Sequence, residues 1–142
     1  MIHLFDLLKS KNIKVTEIPY WGIYFRNRWE ERFVFHLSQL QKEEIHLYGN
    51  RYFCGYLWHV FSYDRRPHLC AHEAIQAFNE VKKAKCYIFY QHSADVILVE
   101  QADVLEAANF KEEDDVYIVD EAFTWTFVVT HERDYGPYFC KA

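Results

Sequence analysis

Residues 86–100, Cys86-Tyr87-Ile88-Phe89-Tyr90-Gln91-His92-Ser93-Ala94-Asp95-Val96-Ile97-Leu98-Val99-Glu100, carry the clearest structural signal in the chain. Two runs rich in β-branched and aromatic residues, 86–91 and 96–100, flank four polar or small ones, His92 to Asp95. The pattern predicts two antiparallel strands joined by a four-residue loop. Downstream, 116–119 and 124–130 repeat the arrangement around Asp120, Glu121, Ala122 and Phe123. In the returning run Trp125, Phe127 and Val129 alternate with Thr124, Thr126 and Val128. That alternation predicts one face on helices and the other toward solvent or a partner.

The sequence before this core changes period. Leu4, Phe5, Leu7 and Leu8 give an apolar face for a short first helix ending near Lys11-Asn12, and Ile13 and Val15 suggest a short strand. Pro19 permits a helix start. Phe25, Trp29, Phe33, Leu37 and Leu40 follow as one helical stripe, with Arg26, Arg28, Glu30 and Glu31 elsewhere on its surface. Another short helix is predicted over 41–48, stopped by Gly49-Asn50. Residues 56–63, YLWHVFSY, read as a buried strand broken by Asp64-Arg65-Arg66-Pro67. Ala71, Ala74, Ile75, Phe78 and Val81 predict a helix closing at Lys82-Lys83, and Asp103 with Glu106 suggests a short helix over 104–109. The aromatic stretch from Tyr135 to Cys140 is expected to pack on the body. The sum is one α+β domain over 1–142. Its mostly antiparallel sheet of about five strands packs with N-terminal and inserted helices.

At 142 residues the chain can bury about 70% of its unfolded surface, so it needs no disulfide or metal to fold. No apolar run approaches the roughly 20 residues that span a bilayer, and Asp6 interrupts the opening stretch, so no signal peptide and a cytoplasmic location are expected. Cys54, Cys70, Cys86 and Cys140 include no CxxC pair and read as free thiols. Aromatics form 19% of the chain. That is enough to leave some beyond the needs of a core for a partner surface.

The formal charge of −5 is unevenly placed. Residues 100–121 hold nine acids against Lys111 alone, a balance of −8, and leave +3 for the rest. Such a stretch argues against a nucleic-acid grip and fits a partner with a basic surface, or else is a solvated acidic loop.

No local motif specifies catalysis. His68, Cys70 and His72 are the nearest approach to a metal motif, but Pro67 places a helix start there and spoils an i, i+4 pair of ligands. His59, His92 and His131 are candidate acid–base groups, and Cys140 with His131 is a conceivable nucleophile pair. Neither has a local signature. Phosphate-binding glycine loops are absent, and residues 112–115 lack the spacing of a calcium loop. Neither cofactor nor metal is expected.

The strings LFDLLKSKNIKVTEIPYWG, YLWHVFSY, CYIFYQHSADVILVE and DVYIVDEAFTWTFVVTHERDYGPYFC resemble a family of small bacterial proteins classed as a domain of unknown function, from Ile2 to Cys140. One relative is thought to be the immunity protein of an LXG-type toxin pair. The resemblance implies a non-enzymatic protein that binds and neutralises a cognate toxin, expected to be a nuclease, by stoichiometric occlusion. For such a role the expected contacts are Glu112, Glu113, Asp114, Asp115, Asp120 and Glu121, with Tyr117 and Trp125 as aromatic anchors. For Tyr117 and Trp125 the alternative is sheet packing. The alternatives for the whole protein are a metal-binding or His/Cys-dependent enzyme and a small-molecule-binding regulatory module.

Overall fold

A computed structural model describes residues 2–134 and 136–142; Met1 and Tyr135 lie outside the described residues. The helices are α1 (Ile2–Ser10), α2 (Gly22–Phe33), α3 (Gln39–Glu44), α4 (His59–Ser62) and α5 (Ala71–Glu80). The strands are β1 (Lys14–Ile18), β2 (Leu69–Cys70), β3 (Lys85–Tyr90), β4 (Val96–Glu100), β5 (Val116–Asp120), β6 (Trp125–Val129) and β7 (Tyr138–Lys141). They form one sheet in the order β1-β4-β3-β5-β6-β7-β2, with every neighbouring pair antiparallel. Both hairpins read from the sequence sit at its centre. The count is seven strands rather than about five: beyond the strand expected at Ile13 and Val15, which is β1, the two-residue β2 and the chain end's β7 join the sheet.

Strand alternation divides the interior into two cores. Cys86, Ile88, Ile97, Val99, Val116, Ile118, Trp125 and Phe127 point to one face, where α1 and α5 bring Leu4, Leu8, Ala74 and Phe78. Phe89, Val96, Tyr117, Val119 and Val128 point to the other, against Phe25, Trp29 and Phe33 of α2 and Trp58, Val60 and Phe61 around α4. The expectation that one face of β6 meets solvent or a partner is therefore corrected: all five β6 residues are buried. Thr126 sits on the second face because its hydroxyl has work there. It accepts from Trp29 Nε1 at 2.8 Å and donates to the Ile118 carbonyl at 3.1 Å.

Residues 56–63 form a turn and the short α4, not a strand. A dense apolar run carries both periods, and periodicity alone does not separate a buried strand from a buried helical segment. The stripe begun by Phe25, Trp29 and Phe33 also stops early. Ser38 and Gln41 form a reciprocal capping box, at 3.2 and 2.8 Å, that starts α3 afresh and leaves Leu40 on the surface. Residues 102–110 form two 3₁₀ turns in place of one helix, the second held by Asn109 Oδ1 accepting from the Glu106 N–H at 2.8 Å. No helix among the described residues is long and apolar enough to cross a membrane.

Candidate functional site

The β3–β4 loop, the turn before β5, the turn after β6 and the segment between α3 and α4 meet at one end of the sheet. Gly22 docks α2 there. Its N–H donates to the Ala94 carbonyl at 2.8 Å, and a Cβ at Gly22 would lie 2.4 Å from the Ser93 carbonyl oxygen. Arg26 Nη1 then donates to the carbonyls of Tyr90 at 3.0 Å and Ser93 at 2.6 Å, while burial pulls the guanidinium below its ordinary pKa. Across from α2, residues 46–56 form a loop that closes tightly on itself, since a Cβ at Gly55 would fall 2.0 Å from the Tyr48 carbonyl carbon. Asn50 Oδ1 accepts from the N–H groups of Tyr52 and Phe53 at 2.8 and 2.9 Å. Between helix and loop lies a cleft of about 500 Å³, lined among others by Arg26, Asn27, Glu30, Tyr48, Phe53 and His92. Glu30 Oε2 joins the two walls, accepting from Lys42 Nζ at 2.8 Å and from the Tyr48 hydroxyl. Burial, followed by that bond to Glu30, raises the Tyr48 pKa.

Large aromatics are exposed along this side of the molecule. Tyr20 is 85% exposed, Tyr52 78%, Phe53 54% and Trp21 50%. Trp21 and Tyr24 rings meet edge to face at 5.2 Å, and Tyr24 continues to Phe25 at 5.5 Å. Residue composition signalled such a surplus, but not its position, because exposure of an aromatic depends on which other elements reach it.

A second cluster lies beside the cleft. The Tyr56 ring has His131 at 5.0 Å, Trp58 at 5.1 Å, His59 at 5.3 Å and His92 at 5.7 Å. Thus His59, His92 and His131, scattered in sequence, share one tyrosine. Burial lowers the His59 pKa, against smaller opposing contributions from the backbone of His46 and Ile45, so the ring favours its neutral form. Asp115 organises the cluster by accepting from Trp58 Nε1 at 3.0 Å and lying 3.0 Å from His131 Nδ1.

The residues expected to contact a partner are not one open acidic surface. Glu112 is exposed. Glu113 is buried and accepts from the Tyr90 hydroxyl, whose pKa rises through burial first and that bond second. Asp114 pairs with Arg133 at 2.6 Å, and Asp115 is taken up as described. Asp120 accepts from the Thr124 N–H at 2.6 Å and the Trp125 N–H at 3.3 Å, closing the β5–β6 turn. Glu121 reaches Lys85 at 3.7 Å. Tyr117 is fully enclosed. Its ring stacks on Phe89 at 5.3 Å, and its hydroxyl accepts from the Trp58 N–H at 3.2 Å and donates to Gln91 Oε1. Trp125 stacks on Phe139 at 5.9 Å in the opposite core. Sheet packing therefore accounts for Tyr117 and Trp125, and neither is available as a surface anchor.

The other sequence candidates disperse. His68 packs between Phe61 and Tyr138, both at 5.2 Å, and precedes β2, whereas His72 lies in α5. Among the described residues no group of three or more His, Cys, Asp or Glu is placed to hold a metal ion. Cys140 is buried, with Sγ 3.1 Å from Arg66 Nε, and burial raises its thiol pKa despite that cation. His131 is occupied instead with Asp115. No curated protein and no solved structure matches the chain. A family model described as "Domain of unknown function (DUF4275)" matches residues 2–139, nearly the whole length, and the chain belongs to that family.

Proposed function

We propose that this protein is a cytosolic immunity-type protein that neutralises a cognate toxin by stoichiometric binding. The observation that carries the reading is the set of large aromatics left exposed on two segments, Tyr20, Trp21 and Tyr24 at the start of α2 and Tyr48, Tyr52 and Phe53 on the 46–56 loop. Both cores are filled by other aromatics, so none of these six belongs to a core, although the Tyr48 hydroxyl is held by Glu30. Tyrosine and tryptophan are the side chains that most often dominate the energy of protein–protein contacts. Gathered exposure of this kind suits a partner surface better than chance scatter. The resemblance to a family with one relative thought to be the immunity protein of an LXG-type toxin pair supports the same role.

The test is co-expression with the toxin encoded beside this gene, followed by calorimetric titration of the two purified proteins. Rescue of growth together with a one-to-one complex is the expected result. Growth arrest despite abundant folded protein, with no heat of binding, would remove the proposal.

A further inference from the structure

The cleft between α2 and the 46–56 loop has hydrogen-bond donors to spare. Arg26 is the only lysine or arginine among its described lining residues, and no described carboxylate lies within ion-pair distance of it. Its Nη1 is taken by the Tyr90 and Ser93 carbonyls, whereas Nε and Nη2 have no acceptor among the described residues. Two side-chain amides of the lining repeat the pattern. Gln91 turns Oε1 to the Leu57 N–H at 3.1 Å and to the Tyr117 hydroxyl, and Asn50 turns Oδ1 to the N–H groups of Tyr52 and Phe53. A backbone N–H must meet oxygen, so each amide keeps its NH2 as the free end. Among the described residues no buried side-chain nitrogen or oxygen lacks a partner, so the free N–H groups of Arg26 and Gln91 reach open space, and Asn50 is exposed. The lining carboxylate, Glu30, is by contrast matched by Lys42 at 2.8 Å.

We propose that this cleft binds a small organic monocarboxylate with an apolar or aromatic body, its carboxylate on Arg26 and its body against Phe53. A volume of about 500 Å³ suits such a molecule. The planar guanidinium matches a carboxylate with two parallel N–H groups, and the free amide ends supply further donors. Burial works against the charge of Arg26, so an anion placed there gains more than it would in water. One cation balances one negative charge, which disfavours phosphate dianions and nucleic-acid chains. An ammonium ligand would find Glu30 already matched. The body has apolar surface to cover, since Leu47 and Leu57 line the cleft and the Phe53 ring is half exposed. Asp114 and Asp115 line the neighbouring hollow, but Asp114 is paired with Arg133 and Asp115 is bound by Trp58 and His131, so neither stands there as an unpartnered carboxylate. The inference does not rest on the toxin-binding reading, and its test uses no toxin.

The test titrates the whole chain with phenylacetate, its neutral amide phenylacetamide, the cation phenethylamine, and inorganic phosphate, while amide NMR shifts are followed. Phenylacetate should saturate with a Kd below about 10 mM and move the resonances of Gly49, Gly55 and Gln91, which line the cleft. The other three probes should bind at least about tenfold more weakly. Arg26→Gln should weaken phenylacetate binding about tenfold and Phe53→Ala about fivefold, with Arg28→Gln and Tyr20→Ala, both outside the cleft, within about twofold of wild type. Arg26→Gln also releases the Tyr90 and Ser93 carbonyls, so its melting temperature is checked. If it does not fold, the probe series on wild type and Phe53→Ala, which alters a half-exposed ring, decide the matter. Failure of phenylacetate to saturate, shifts confined to residues away from the cleft, equal or tighter binding of phenethylamine or phosphate, or full affinity in the folded cleft variants overturns the inference.

Discussion

The Asp115 carboxylate accepts the indole N–H of Trp58 at 3.0 Å, tying the start of β5 to the residue that opens α4. Asp115 also occupies the left-handed backbone region, with φ of 54°, and its carboxylate is within 3.3 Å of both the backbone N–H and Nδ1 of His131. One acidic side chain therefore joins three segments that are distant in sequence and form the floor beside the cleft. It sits within the run expected to face a partner, yet most of its hydrogen-bonding capacity is turned inward.

Asp115→Ala should accordingly lose about 3 kcal/mol of stability, from unpaired donors and from alanine's dislike of positive φ. Asp115→Asn should lose about 1 kcal/mol, because it keeps an acceptor and tolerates that backbone conformation. Urea unfolding would measure both. Equal and negligible losses would show that the carboxylate does not hold the three segments together.

Thr126→Val should cost about 2 kcal/mol although the side chains are nearly the same shape. Valine leaves the buried Trp29 N–H without its acceptor at 2.8 Å. Combining Trp29→Phe with Thr126→Val should restore part of the loss beyond simple addition, since the orphaned donor is then gone. A double-mutant cycle with no coupling energy would contradict the packing described for the second core.

His59 gives the fold a pH dependence of defined sign. Burial sets its folded pKa below the ordinary 6.5, so the fold favours the neutral ring. The stability this contributes is complete above pH 6.5 and is lost as pH falls below that value through the folded pKa. Melting temperature compared between wild type and His59→Gln, from about pH 8 down to about pH 5, should show the steeper decline in wild type. Parallel curves would refute the assignment.

The four cysteines should divide by accessibility. Cys54 and Cys70 are exposed, while Cys86 and Cys140 are buried. Burial pushes the Cys86 thiol up to about 12, leaving almost no thiolate at neutral pH. A thiol reagent should titrate two cysteines quickly in the native protein and all four in denaturant. Rapid native labelling of Cys86 would mean that the first core opens readily.

The α+β class, the two central hairpins, α1, α5 and the inward stripe Phe25, Trp29 and Phe33 were legible in the sequence. Each rests on a local period or a local turn, which neighbouring residues specify among themselves. The end of α2 was not legible, because the apolar spacing runs on through Leu37 and Leu40 while Ser38 and Gln41 cap a separate helix. Residues 56–63 were not, because an unbroken aromatic run satisfies both periods, and only the surrounding side chains settle which backbone forms. The same limit applies to function. Sequence determined that acids concentrate in residues 100–121 and that aromatics are abundant. Tertiary structure alone decided that Glu113, Asp114, Asp115 and Asp120 find partners within the chain, that Tyr117 and Trp125 lie inside, and that Trp21, Tyr52 and Phe53 lie outside. Burial and charge pairing are set by contacts between segments far apart in sequence, and no local pattern encodes which segments will meet.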